Sequence, residues 1–329
     1  MIKKNKKFNW GIIGTGGIAN AFARDLENLN RHQISSVLSR SMDSAIEFCS
    51  RINNCEGYDS ISLFLDNEKI DAVYIATPNT CHANQTIRAL QNKIPVLCEK
   101  PFAMNAAESK AMIKASEKNK TTLMEGMWTR YLPHIQKVKQ ILNNGMIGQV
   151  ESIFACHGQN LRHSNNPRLW TKELGGGALL DLGVYVISFA HLVLGKPKEI
   201  YASSVFTSEG VDAKTSMIFK YSNDVIANLS CSMYDSQPNR AIISGDKGLI
   251  EIDPTFYAPT SMKLKLQTGK IYSFPNKYCG HGLREQAEEL ERCVRKNKIE
   301  SPLMTHKDST EVLGSMDRVR ELIGLNFKN

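Results

Sequence analysis

The feature that most constrains this chain is a glycine run set between a short apolar stretch and an amphipathic one. FNWGII (Phe8–Ile13) leads into Gly14-Thr15-Gly16-Gly17-Ile18-Ala19, and an apolar pattern of helical period follows to about Asn28. The run has the form GxGxxA. Its glycines permit a tight turn, and the helix it opens directs free N–H groups and the positive end of its dipole at an anion. A glycine-rich turn alone is common; one lying between a strand and a helix at the head of a βαβ unit points to a dinucleotide pyrophosphate.

The layout beyond the loop agrees with that assignment. Strands are expected over 8–13, 34–38, 72–76, 95–98 and 122–125, alternating with helices over 17–28, 42–51, 82–92 and 106–118. This alternation predicts a parallel, doubly wound sheet covered by helices. After Trp128 the texture changes. A helix over 133–143 precedes Val-, Ile- and Phe-rich strands over 150–156, 199–207, 215–221, 225–233, 240–244, 248–252 and 263–266. Asn223-Asp224 and Gly245–Gly248 read as hairpin turns. A long helix over 175–194 interrupts the strands, and helices over 282–296 and 307–325 close the chain.

The expected fold class is therefore α/β followed by α+β. Residues 1–127 form the dinucleotide-binding domain, and 128–329 a substrate-binding and dimerisation domain whose largely antiparallel open sheet is covered by helices on one face. The uncovered face alternates apolar with polar residues, a pattern that commonly pairs with its own copy, so a homodimer is expected.

The charge at first suggests a different partner. The 329 residues are 42% hydrophobic and 22% charged, with a formal net charge of +8. Half of that surplus lies in Lys3, Lys4, Lys6 and Lys7, ahead of the first strand. With no basic stripe interleaved with aromatics, a nucleic-acid partner is not expected. The apolar stretch from Leu174 to Gly195 contains Asp181 and His191, which favours a buried helix over a membrane span. FNWGIIG is too short for a signal peptide, so a cytoplasmic location is expected. The eight cysteines lack CxxC or zinc-finger spacing; free thiols and no metal are the expectation.

The end of the second expected strand bears on which dinucleotide is taken. An acidic residue there would bind a ribose 2′-hydroxyl, but the chain reads Leu38-Ser39-Arg40-Ser41 with no acid before Asp43. A guanidinium flanked by two hydroxyls suits a 2′-phosphate, which favours NADP(H) and leaves NAD(H) open.

Two further segments, TPNTCHANQ (Thr77–Gln85) and CEKPFAMN (Cys98–Asn105), join the glycine loop and GGGALLDLGVY (Gly175–Tyr185). With these the chain resembles the Gfo/Idh/MocA oxidoreductases over nearly its whole length. EGMWTRYLP (Glu125–Pro133) and a tyrosine at 185, where most of that superfamily carries histidine, make it similar to the group of dimeric dihydrodiol dehydrogenases and NADP-dependent xylose dehydrogenases. The resemblance implies a Rossmann domain. It implies dinucleotide contacts from Gly14, Thr15, Gly16, Gly17, Ile18, Ser39, Arg40, Ser41, Thr77, Pro78, Asn79, His82, Glu99, Lys100 and Trp170. It also implies substrate contacts from Trp128, Arg130, Arg168 and Tyr185, and a catalytic set of Lys100, Asp181 and Tyr185.

The residues themselves support such chemistry. Lys100 falls at the C-terminal end of a strand, where open α/β sheets bind ligands, and Pro101 fixes the turn. Asp181 and Tyr185 are spaced i,i+4 on one helix face. A carboxylate in apolar surroundings calls for a partner, for which a lysine of the facing domain is suited. A nearby ammonium lowers a phenol's pKa and makes tyrosine a usable acid–base. The expected reaction is hydride transfer between nicotinamide C4 and a secondary or anomeric hydroxyl carbon of a sugar, polyol or trans-dihydrodiol. The competing reading is a catalytically silent dinucleotide sensor, which would need the glycine loop but neither Lys100 nor Tyr185. Trp128, Arg130, Arg168 and Trp170 read equally as packing anchors, and nothing in the spacing of His157 or His163 compels a role.

Overall fold

The computed structural model describes residues 7–327. Lys3, Lys4 and Lys6 of the expected basic tail lie outside the described residues, and Lys7 is exposed. Six parallel strands, β1 (Phe8–Ile13), β2 (His32–Leu38), β3 (Glu56–Tyr58), β4 (Ala72–Ile75), β5 (Val96–Glu99) and β6 (Leu123–Gly126), make the first sheet. Their order is β3-β2-β1-β4-β5-β6. Helices α1 (Gly17–Leu26), α2 (Met42–Cys49), α3 (Ile61–Leu65), α4 (His82–Gln91) and α5 (Ala106–Asn119) connect them. Every residue of β1, β4, β5 and β6 is buried, as unbroken apolar runs require of strands covered on both faces. At α5 the Asn105 side chain accepts from the Glu108 amide at 2.8 Å and Glu108 accepts from the Met104 amide at 3.1 Å, a reciprocal cap. Strand order reverses between β1 and β4, and the loops leaving those strands carry the glycine run and Thr77.

The second sheet is built from β7 (Val150–Gly158), β8 (Glu199–Phe206), β9 (Asp212–Lys220), β10 (Ile226–Ser232), β11 (Ala241–Gly245), β12 (Gly248–Ile252), β13 (Met262–Leu266) and β14 (Ile271–Phe274). Its order is β14-β13-β12-β11-β7-β10-β9-β8, and only the β7/β10 pair is parallel. α6 (Pro133–Asn143) precedes it, and α7 (Pro167–Trp170) follows β7. The long apolar helix then begins with a π-helical turn, Leu179–Gly183, and continues as α8 (Val184–Leu194). All of Val184–His191 is buried, so the apolar stretch is a core helix here. Ile153, Ala155, Met217, Phe219, Ala227 and Leu229 line the buried face of the sheet. On the opposite face Phe154, Ile218 and Tyr201 stand in one register row through Asn228 and are 45%, 45% and 55% exposed.

The compact units do not follow a single cut at 127/128, because Gly280–Ser309 returns to the first unit. Hydrogen bonds explain the return. Asp25 of α1, only 3% exposed, accepts the backbone N–H groups of His281, Gly282, Leu283 and Arg284 at 2.6–3.0 Å, at the start of α9 (Arg284–Arg295). Leu123 donates its amide to the Ile299 carbonyl at 2.9 Å. α10 (His306–Ile323) ends the described helices, most of it in the second unit.

One cysteine expectation is corrected. Cys49 at the end of α2 and Cys55 ahead of β3 form a disulfide, because the intervening turn, with Asn54 at φ 58°, brings their Cα atoms to 5.1 Å. The other six are free thiols.

Candidate active site

In the first unit the glycine loop holds its neighbours apart in a telling way. Gly14 has φ 108°, and a Cβ there would lie 2.6 Å from the Ala76 carbonyl of the next loop. Gly16 and Gly17 face open space, with nothing within 4 Å of a Cβ. Gly16 is the N-cap of α1, yet no side chain caps the helix and its first turn carries no acid. The Asn20 side chain instead ties the loop's rear, donating to the carbonyls of Thr15 and Gly16 at 3.1 and 3.0 Å. Open N–H groups, space at two glycines and a positive dipole end fit a dinucleotide pyrophosphate.

The adjoining strand end fits the rest of such a ligand. The Thr15 hydroxyl lies 3.5 Å from that of Ser39, linking the loop to the end of β2. Arg40 and Ser41 are exposed beyond it, and the Arg40 guanidinium makes no hydrogen bond or ion pair among the described residues.

The loops after β4 and β5 are joined by His82, which is fully buried. Its Nδ1 lies 2.9 Å from the Pro101 carbonyl and its Nε2 3.0 Å from that of Thr77. Thr77 donates its hydroxyl to Gln85 at 2.6 Å, and Asn79 is 3% exposed. Glu99 turns inward, accepting the Tyr74 hydroxyl at 2.6 Å and the Lys100 amide at 3.2 Å. His82 and Glu99 thus brace the turn at whose head Lys100 stands, half-buried, with a cis bond to Pro101. Trp128 is 6% exposed, its indole stacked on the His281 ring at 5.2 Å and 15°.

In the second unit Asp181 and Tyr185 come from the π turn and the first residues of α8. Asp181 accepts an ion pair from Arg168 at 3.1 Å, so two of the expected residues meet directly. Tyr185, 7% exposed, lies edge-on to His157 at 5.2 Å and tilted to Tyr257 at 5.0 Å. His157 and Tyr257 stack at 3.9 Å, and Gln159 donates to both, at 3.0 and 3.3 Å. Sequence reasoning passed over His157, although the inward face of β7 (Ile153, Ala155, His157) carries it by strand alternation. Tyr257 lies between β12 and β13, where no periodicity marks it.

The remaining expected residues have structural tasks in view. Arg130 is 3% exposed and donates to the hydroxyl and carbonyl of Ser188 in α8 at 3.1 and 2.8 Å. Trp170 donates its indole N–H to the Ser164 carbonyl at 2.8 Å, fastening the loop ahead of the glycines. His163 is not drawn into the cluster by any described hydrogen bond. Among the described residues no group of His, Cys, Asp and Glu could hold a metal.

Known proteins agree with this architecture. Residues 8–127 match the family model of the Gfo/Idh/MocA oxidoreductases, described as an NAD-binding Rossmann fold, and residues 135–251 match the Gfo/Idh/MocA C-terminal domain. The chain is 34% identical over 330 residues to a trans-1,2-dihydrobenzene-1,2-diol dehydrogenase of Danio rerio, covering 97% of each. A 3-ketoreductase from Actinomadura kijaniata, solved with NADP, superimposes with a TM-score of 0.86 at 24% identity over 97% of this chain and 98% of that one. An aldose-aldose oxidoreductase from Caulobacter crescentus gives 0.85 at 23% identity over 96% and 97%.

Proposed function

This chain belongs to the Gfo/Idh/MocA oxidoreductase family, and we propose from that premise that it is an NADP(H)-dependent dehydrogenase or reductase of a sugar, polyol or trans-dihydrodiol. The observation that carries the reading is a buried tyrosine, Tyr185, one turn beyond the Asp181 carboxylate in a chain whose parallel sheet places Lys100 directly after β5. A dinucleotide sensor has no use for that set.

A bound nicotinamide would supply or accept the hydride. Gly16, Gly17 and the first turn of α1 would hold the pyrophosphate, and Ser39, Arg40 and Ser41 would take the 2′-phosphate. In the oxidative direction Tyr185, as phenolate, takes the proton of the substrate hydroxyl as hydride leaves the same carbon; in reduction the Tyr185 phenol gives that proton to the alkoxide oxygen. The Lys100 ammonium stabilises the negative charge gathering on the substrate oxygen. Asp181 and Arg168 orient the substrate's remaining hydroxyls, and Trp128 offers a flat apolar wall to a ring.

The diol dehydrogenase relative and the aldose-aldose oxidoreductase neighbour support a vicinal diol or sugar as substrate. The uncovered face of the second sheet, with Phe154, Ile218 and Tyr201 in one row, supports pairing with a second copy of the chain.

The test is a screen of aldoses, polyols and trans-dihydrodiols with NADP⁺ and NADPH, read by reduced-nicotinamide absorbance. Lys100→Met and Tyr185→Phe are expected to keep dinucleotide affinity and to lose turnover by about 100-fold or more. Full activity in either variant would overturn the assignment of roles.

A further inference from the structure

Asp212 is a carboxylate that the reaction above does not use, and it occupies an unusual place. It is fully buried at the start of β9. A β-bulge aims it there: Val205 pairs with Lys214 but Phe206 pairs with Asp212, so one residue of β9 is skipped and the strand turns at that point. Oδ2 accepts the Leu179 amide at 2.8 Å and the Thr215 hydroxyl at 2.8 Å. Oδ1 has no hydrogen-bond partner among the described residues. A Cβ on Gly177 would lie 2.3 Å from that oxygen, so only glycine, here at φ 113°, lets the carboxylate reach the helix.

Leu179 is the first residue of the π turn, and that turn carries Asp181 and leads into Tyr185. The Val184 amide reaches back to the Leu179 carbonyl, the i→i−5 bond of the wider turn. Asp212 therefore grips the residue from which the π register starts. A second close approach seats the same turn on the sheet: a Cβ on Gly183 would lie 3.0 Å from the Cys231 sulfur of β10. Burial pushes the Asp212 carboxyl up to about 6, a penalty that a serine or asparagine cap would not incur. The Cys231 thiol is the titratable group facing it from β10, and burial together with the Asp212 charge raises that thiol as well. Helices rarely hold a π turn without a local cause, and strain of this kind gathers where side chains must be presented in one orientation.

We propose that Asp212 is a positioning residue for the reaction: by fixing the Leu179 amide it sets the π register that presents Asp181 and the Tyr185 hydroxyl to the substrate. This rests on the oxidoreductase reading of Tyr185 given above. Asp212 is fully buried, with its hydrogen bonds going to Leu179 and Thr215, so its removal displaces the proton-transfer group while leaving the first unit's glycine loop as it was.

The experiment compares full-length wild type with Asp212→Ala, Asp212→Asn and Thr215→Val. It measures NADPH affinity by fluorescence, turnover, and the pH titration of the Tyr185 phenol by ¹³Cζ-tyrosine NMR, assigned with Tyr185→Phe. Asp212→Ala is expected to bind NADPH within about twofold of wild type and to lose kcat on the order of 10- to 100-fold, the scale of a misplacement near 1 Å. The Tyr185 resonance should move. Asp212→Asn, which still accepts the Leu179 amide, should recover most of the loss.

A folded Asp212→Ala with wild-type kcat and an unmoved Tyr185 resonance overturns the proposal, as does equal loss of kcat and NADPH affinity. Should Asp212→Ala fail to fold, Thr215→Val decides: a several-fold loss of kcat at constant NADPH affinity supports the proposal, and unchanged kcat overturns it. Should wild type turn over no substrate at all, the dehydrogenase reading fails separately. The Tyr185 resonance then settles the positioning role alone, supporting it if it moves in Asp212→Ala or, failing that, in Thr215→Val, and overturning it if it does not.

Discussion

At the head of α1, Gly16 and Gly17 face open space, whereas at the head of the helix bearing Asp181 and Tyr185, Gly177 is pressed against a carboxylate. Both helices start from a glycine run in the sequence, GTGG in one unit and GGG in the other. The first start is uncapped and carries no acid, so its amides remain available to an anion from outside the chain. The second is closed by the chain's own anion, Asp212, which accepts the Leu179 amide. The same residue type thus leaves space for a ligand where a Cβ would meet nothing and serves internal packing where a Cβ would meet an oxygen.

The sharpest way to break this comparison is to add a charge where the space is open. Gly16 has ordinary backbone angles, φ −73°, so Gly16→Asp is expected to fold with an unchanged Tm. Its carboxylate would meet the pyrophosphate at about 4 Å, and at an effective dielectric of about 20 that repulsion is about 4 kcal/mol, close to a 1,000-fold loss of affinity. Isothermal titration with NADPH measures it. Affinity within a few-fold of wild type would place the pyrophosphate elsewhere.

The converse holds at the second glycine run. Gly177→Ala adds a Cβ that the Asp212 oxygen must yield to, at a φ that L residues rarely adopt. The expected loss is about 3 kcal/mol of stability in urea unfolding, with NADPH affinity of the folded fraction unchanged. The Asp212 carboxyl also gives this region a pH signature. Its folded value is raised to about 6, above that of an unfolded aspartate. The native state therefore holds a proton that the unfolded chain has released between about pH 4 and 6. That contribution is full below about pH 4 and is lost as pH rises through 6, at most about 3 kcal/mol across the window. Asp212→Asn should flatten that slope in a stability–pH profile.

The two starts were not equally legible. The α1 head could be read because a strand, a glycine loop and an amphipathic helix occur in sequence with nothing between them, and the buried runs of β4 and β5 repeat the pattern. β3 and α3 escaped notice, being three and five residues long with no period to follow. The hairpin turn at Asn223-Asp224 was announced by residues that tolerate positive φ, and both adopt it. The π turn had no such announcement, since LLDLG satisfies an α-helical pattern equally well. Asp212 was hidden for a different reason: a bulge in β9 decides which way it points, and that bulge depends on pairing with β8. The Asp181–Arg168 ion pair likewise joins the π turn to the short helix α7 across thirteen positions, a contact fixed by the fold around them.

The smallest expected effect lies at the edge of the open site, and it tests whether openness there is specific. Arg40 is exposed, makes no described hydrogen bond or ion pair, and follows Ser39, whose hydroxyl lies 3.5 Å from that of Thr15 in the glycine loop. An arginine with no partner among the described residues, beside the loop proposed to hold the pyrophosphate, is free to fork onto a 2′-phosphate. A charge-assisted contact of this kind contributes about 2 kcal/mol, so Arg40→Asp should weaken NADP⁺ about 30-fold and leave NAD⁺ within a few-fold, since an aspartate can accept the free 2′-hydroxyl. Competition titrations of both dinucleotides measure the ratio. A preference unchanged in the variant would mean that the open head of α1 selects for pyrophosphate alone, and that β2 contributes a wall and no choice between the two dinucleotides.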